Sequence, residues 1–125
     1  MKVEDLELAK KAREYAYAPA SNFKVGCVLR TKSGKIYTGC NVENQCIQSI
    51  CAERTAFVKA ISEGERDFES ITVVGGNKDE EPTEECTPCG YCRQFMSEFV
   101  DKDFTICTID REYKISDLLP YSFGL

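Results

Sequence analysis

The sequence predicts an α/β domain of three layers, α/β/α, around a mixed five-stranded sheet. Three observations carry that prediction. Two strand-like runs, "KVGCVLRT" and "KIYTGCNV", are joined by the short turn "KSGK", and so short a connection makes them an antiparallel hairpin. Downstream, strand-like and helix-like runs alternate, which calls for partly parallel pairing under helical cover. The length, 125 residues with 42% hydrophobic, suits one core, so residues 1–125 are read as a single domain.

The elements follow in order. Leu6, Ala9, Ala12 and Ala16 share one face of a first helix. "APASNF" (Ala18–Phe23) breaks it with proline and a Ser-Asn pair. The hairpin comes next, with Gly34 supplying its turn geometry. Ala56, Phe57, Ala60 and Ile61 mark a second helix that Gly64 ends. "SITVVGG" (Ser70–Gly76) is apolar in succession, as a buried strand is. Phe95, Met96, Phe99 and Val100 mark a third helix. "FTICTI" (Phe104–Ile109) is a fourth strand, "EYKI" (Glu112–Ile115) a weak fifth, and "SDLLPYSFGL" a helical turn with a tail.

Charge and cysteine usage restrict the function. The net charge is −5, and the densest charge run, "KDEEPTEE" (Lys78–Glu85), is mostly acidic. A polynucleotide binder shows a basic face, so a small or neutral substrate is expected and no nucleic acid. The charged amino terminus does not read as a signal peptide, and no run approaches the roughly 18 apolar residues of a membrane span, so no membrane partner and a cytoplasmic location are expected. In a reducing compartment the clustered cysteines among the eight are expected to bind metal or do chemistry rather than form disulfides. Cys27, Cys40 and Cys107 lie inside strand-like runs and read as small buried hydrophobes.

The remaining thiols cluster at two apparent helix starts, "CAERTAFVKAISEG" from Cys51 and "PCGYCRQF" from Pro88. Cys89 and Cys92 have the C-x-x-C spacing of metal ligands, and a redox dithiol fits the same spacing. With Cys51 as a third ligand, a zinc ion keeps one open position, the layout of a catalytic site. Glu53 beside that position can take a proton from water and deliver it elsewhere. Zinc with three thiolates carries net charge −1, which the partly positive amino termini of two helices and Arg54, one turn from Cys51, can offset. Residues two apart diverge on a regular helix, so Glu53 meets Cys51 only if Cys51 sits at the irregular first position.

"NVEN", "CAERTA" and "PCGYCRQ", in that order, resemble the small homotetrameric cytidine deaminases, and the likeness runs from "SNFKVG" to "LLPYSFG". The resemblance implies a cytidine deaminase-like fold and hydrolytic deamination of cytidine and 2′-deoxycytidine to the uridines with release of ammonia. It implies zinc held by Cys51, Cys89 and Cys92, with Glu53 as proton shuttle. Asn41 and Glu43 then contact the ribose, Phe23 lines the base pocket, and Phe123 reaches a neighbouring subunit's site in a homotetramer. Arg54 matches the family arginine that hydrogen-bonds the zinc thiolates.

The chain also departs from the family. Between Asn44 and Cys51 it reads "QCIQSI", about one residue short and without the usual Tyr and Gly, and Ala20 stands where the family has Tyr. These changes bear on the pocket's outer wall and the subunit contacts, and leave open a modified cytidine or a blasticidin S-like nucleoside. Two other readings of the thiols stay open. Cys86, Cys89 and Cys92 share the spacing of part of a ferredoxin run, and Cys86 can close a structural four-cysteine centre.

Overall fold

The computed structural model describes residues 2–45 and 49–124. Cys46, with residues 47 and 48 of the divergent "QCIQSI" stretch, lies outside the described residues. The elements run α1 (Val3–Arg13), β1 (Phe23–Thr31), β2 (Ile36–Cys40), α2 (Ala52–Ser62), β3 (Phe68–Asn77), α3 (Gly90–Ser97), β4 (Thr105–Cys107), β5 (Glu112–Lys114) and α4 (Ile115–Leu118). The strands form a mixed five-stranded sheet in the order β2-β1-β3-β4-β5. The pair β3–β4 is parallel, with α3 in the crossover, and the other pairs are antiparallel.

The period-two alternation of strands sorts side chains into the two outer layers. From β1 and β3, Cys27, Leu29, Ile71 and Val73 pack with Ala56, Phe57 and Ala60 of α2 and with Cys92 and Met96 of α3. Val28 and Val74 point the other way and pack on Ala9 of α1. On that second face Arg30 donates to both carboxylate oxygens of Asp5, each at 2.8 Å, with Asp5 only 2% exposed. A buried pair of this kind fixes the seat of α1 on the sheet more than it adds net stability.

Glycine sets how closely the helices approach. A Cβ on Gly26 would stand 2.2 Å from the Ala9 carbonyl oxygen of α1, and one on Gly39 would stand 2.3 Å from the Ala52 carbonyl oxygen of α2. The Cys27 thiol also donates to the Ala52 carbonyl, at 3.2 Å. The start of α2 is thus pressed onto β1 and β2. Its end is a glycine stop: Gly64 has φ of 98°, its N–H bonds to Ile61 O, and that of Glu65 bonds to Ala60 O.

Several expected boundaries move. Ala16 lies beyond α1, which ends at Arg13 because the chain must turn toward the 18–22 loop. Phe99 and Val100 lie beyond α3, whose cap is Glu98; Phe99 still stacks on Phe95 at 5.0 Å between ring centroids, so its apolar spacing reports packing rather than helix. The fourth strand contracts to Thr105–Cys107, and Ile115 opens α4 instead of ending the fifth strand. Cys27 and Cys107 are buried as expected, whereas Cys40, at the end of the edge strand β2, is half-buried.

Gly26→Ala and Gly39→Ala should therefore part company. Each is expected to destabilise by about 1–3 kcal/mol through overpacking. Only Gly39→Ala, which displaces the helix that begins at Cys51, should also lower metal content. Denaturant unfolding with elemental analysis checks this, and equal metal loss in both variants would contradict it.

Candidate metal centre and active site

Two helices begin at cysteines. Cys51 is the N-cap residue of α2 (φ −75°, ψ 155°), and Cys89 is that of α3 (φ −67°, ψ 167°). The extended backbone at Cys51 meets the condition that the sequence spacing imposed, since Glu53 is then the second residue of the helix. The Cys89 sulfur accepts a hydrogen bond from the Cys92 N–H at 3.5 Å and lies 3.7 Å from the Cys51 sulfur. The sulfurs of Cys51, Cys89 and Cys92 all lie within 4.8 Å of one another.

The donor set fits zinc. Three soft sulfurs select zinc or an iron–sulfur cluster over hard cations, and three protein ligands are one short of the closed structural site. The thiols also share protons unequally. Cys51 is held down to about 5, first by its hydrogen bond with Cys92 and then, against its burial, by Arg54 and Cys89. Cys92, the other partner in that bond, is pushed up. Of this pair Cys51 is the more readily ionised, and a bound cation would favour the thiolate form of its ligands.

Cys86 does not belong to this group. Its sulfur sits over Gly75, 2.7 Å from where a Cβ would be, and burial pushes its thiol up to about 11. Among the described residues, neither a four-cysteine centre nor a ferredoxin-like cluster has its ligands assembled.

Glu53 is 4% exposed. Burial pushes its carboxyl up to about 7, its own N–H and Arg54 pull it back, and the Cys51 thiolate adds to the rise. Arg54 is no free surface cation. Its Nη2 donates to the Ser49 carbonyl at 3.1 Å and to the Cys51 sulfur at 3.6 Å, and its guanidinium lies 4.1 Å from the centroid of the Tyr91 ring.

The other sequence-predicted residues are each engaged with their own neighbours. Phe23 is 41% exposed, and its ring edge flanks Gly75 beside Cys86, whose thiol feels the charge of Glu53. Asn41 is engaged with β1: its Oδ1 accepts from the Val25 N–H at 2.8 Å and its Nδ2 donates to the Phe23 carbonyl at 3.0 Å. Glu43 accepts from the Ala20 and Ser21 N–H groups and from the Ser21 hydroxyl at 2.6 Å, which holds its carboxyl below the usual range. These two side chains therefore brace the 18–25 segment, and Ala20 takes part through its backbone. Phe123 is 68% exposed, and its backbone N–H and carbonyl both pair with the Gln94 side-chain amide.

Three residues went unread in the sequence. Gln94 and Arg93, at the end of "PCGYCRQ", tie the C-terminal segment to α3. Arg93 Nη1 donates to Leu118 O at 2.9 Å while its Nε donates to Pro88 O at 2.6 Å. Tyr91 lies between the two cysteines, where no periodic pattern marks it. Position inside a C-x-x-C spacing was the available signal for it.

The chain matches the family described as "Cytidine and deoxycytidylate deaminase zinc-binding region" over residues 3–108. It is 45% identical over 123 residues to a probable cytidine deaminase of Dictyostelium discoideum, covering 95% of this chain and 81% of that one. It is 42% identical to the cytidine deaminase of Sporosarcina psychrophila, covering 93% and 86%. Among solved structures, the cytidine deaminase of Burkholderia pseudomallei superposes with a TM-score of 0.86 at 42% identity, covering 98% of this chain and 100% of that one. That of Mycobacterium tuberculosis superposes at 0.82 with 34% identity, covering 94% and 92%.

A carboxyl whose folded pKa, about 7, exceeds its ordinary 4.5 binds a proton on folding, so Glu53 costs stability progressively as pH rises from 4.5 through 7. In protein stripped by chelator, Glu53→Gln should be more stable than wild type by a margin that grows across that window and levels above it. The margin should reach about 1–3 kcal/mol. Urea unfolding at a series of pH values measures it, and a constant margin would contradict the burial effect.

Proposed function

The chain belongs to the cytidine and deoxycytidylate deaminase family, and from that premise we propose that it deaminates cytidine and 2′-deoxycytidine hydrolytically, giving uridine or 2′-deoxyuridine and ammonia. The observation that carries this reading is the juxtaposition of three cysteine sulfurs at two helix starts with one buried carboxyl, Glu53, in the first turn of α2. Cys51, Cys89 and Cys92 would hold the zinc, which supplies a Lewis acid that makes water nucleophilic near neutral pH.

The chain's own residues handle protons and position. Glu53 accepts a proton from the attacking water and passes it to ring N3. The water oxygen bonds to C4, Glu53 takes the second proton from the hydroxyl now on C4 and gives it to the amine, and the C4–amine bond breaks to leave a C4 carbonyl and ammonia. A carboxyl raised to about 7 serves both duties, since it gives and takes a proton at similar cost near neutral pH. Arg54 tempers the charge on the Cys51 sulfur.

Phe23 would pack against the base. Asn41 and Glu43 would meet the ribose hydroxyls with capacity left over from the 18–25 segment, since an amide oxygen and a carboxylate each accept more than one hydrogen bond. A site that bonds hydroxyls rejects ligands lacking them, so free cytosine would be a poor substrate. The assembly would be a homotetramer. Tyr17, Val42 and Ile50 support it: they are linked by β-bridges and are 60%, 43% and 40% exposed, an apolar strip a partner can cover. Phe123 would then reach a neighbouring site. The enzyme's place would be pyrimidine salvage in the cytoplasm.

Purified protein mixed with cytidine should yield uridine, and a chelator should abolish the conversion. Glu53→Gln should keep one zinc per chain and lose at least about 10²-fold in kcat. Cys89→Ala should lose the metal. Near-normal turnover in the first variant, or full zinc content by elemental analysis in the second, would remove that residue from its role.

A further inference from the structure

Arg54 has one buried donor left without a partner among the described residues. A guanidinium carries five N–H donors. Its Nη2 serves the Ser49 carbonyl and the Cys51 sulfur, while its Nε is buried and makes no hydrogen bond among the described residues. A charged group held this way away from water needs another source of stabilisation. The Tyr91 ring supplies it, with the guanidinium carbon 4.1 Å from the centroid, well inside the roughly 6 Å reach of a cation–π contact.

Tyr91 itself is 66% exposed. So large a side chain left at the surface gains little from core burial, and its contact with Arg54, whose guanidinium carbon lies over the ring, is what it does in this fold. The ring covers one side of the guanidinium and keeps water from it. Lower local dielectric strengthens the bond from Nη2 to the sulfur.

We propose that Tyr91 is a positioning residue for the metal centre, its ring holding the Arg54 guanidinium against the Cys51 sulfur so that this thiolate gives less charge to the metal. The proposal rests on the three-cysteine metal site and not on the choice of substrate. A fully donating sulfur would leave the bound cation a weaker acid toward water. The expected signature is a loss in kcat with KM unchanged, because Tyr91 lies on the Arg54 side of the centre rather than among the residues assigned to the nucleoside.

The test uses cobalt(II)-substituted protein, whose sulfur-to-metal charge-transfer band reports the electron density on the thiolates. Removing a hydrogen-bond donor from a thiolate shifts that band to longer wavelength. Tyr91→Ala is expected to shift it toward the position found for Arg54→Ala, and Tyr91→Phe, which keeps the ring, is expected to restore the wild-type position. The double variant should shift no further than Arg54→Ala alone. In the zinc enzyme, Tyr91→Ala should lower kcat about 2- to 30-fold, the range of a cation–π contact. A wild-type band in Tyr91→Ala, equal shifts in Tyr91→Ala and Tyr91→Phe, or shifts that add in full in the double variant would each overturn the proposal. If wild-type protein does not turn over cytidine, the function proposed above fails, and the band positions still decide the role of Tyr91.

Discussion

Three thiols packed in one small volume, which a bound cation would turn into like charges, are the constraint to which the rest of this molecule answers. Two thiolates about 4 Å apart repel by roughly 4 kcal/mol at the effective dielectric of a protein surface. Each helix amino terminus returns only about 0.3–1 kcal/mol to a nearby anion in exposed settings. The two helix starts therefore orient the sulfurs but do not neutralise them. The proton sharing among the thiols expresses the same shortfall, with Cys51 held low and Cys92 pushed up. A dication removes it, and Arg54 trims what is left.

The sheet exists, in this sense, to hold two helix starts at a fixed separation. α2 and α3 lie on one face and share a core with β1 and β3. Gly39 lets the first turn of α2 touch the edge strand, and the Cys27 thiol holds the same turn through the Ala52 carbonyl. The other face, with α1 fixed by the Asp5–Arg30 pair, stands apart from the sulfurs. Arg93 and Gln94 then extend the order of α3 into the C-terminal segment.

What the sequence disclosed, it disclosed through short-range rules. The hairpin followed from a turn too short for any other closure, and the second helix from Ala56, Phe57 and Ala60 with Gly64 as its stop. The metal group followed from C-x-x-C plus a third cysteine at another helix start. One kind of misreading recurs. Phe99 and Val100 have helical spacing because they pack, and packing does not require helix. The engagements of Asn41 and Glu43 with the 18–25 segment depend on how two distant loops meet, and the stacking of Tyr91 on Arg54 joins residues 37 positions apart. No local pattern encodes such meetings. The resemblance supplied roles for Asn41 and Glu43 but not the bonds that brace them.

The account stands or falls on the number of sulfurs around the metal. X-ray absorption at the zinc edge of the purified protein reads that number directly. Three sulfurs near 2.3 Å with one lighter oxygen or nitrogen near 2.0 Å are predicted, the pattern of a three-thiolate site with one exchangeable position. Four sulfurs and no light atom would mean a closed structural centre, and the chemistry assigned to Glu53 would have nowhere to occur.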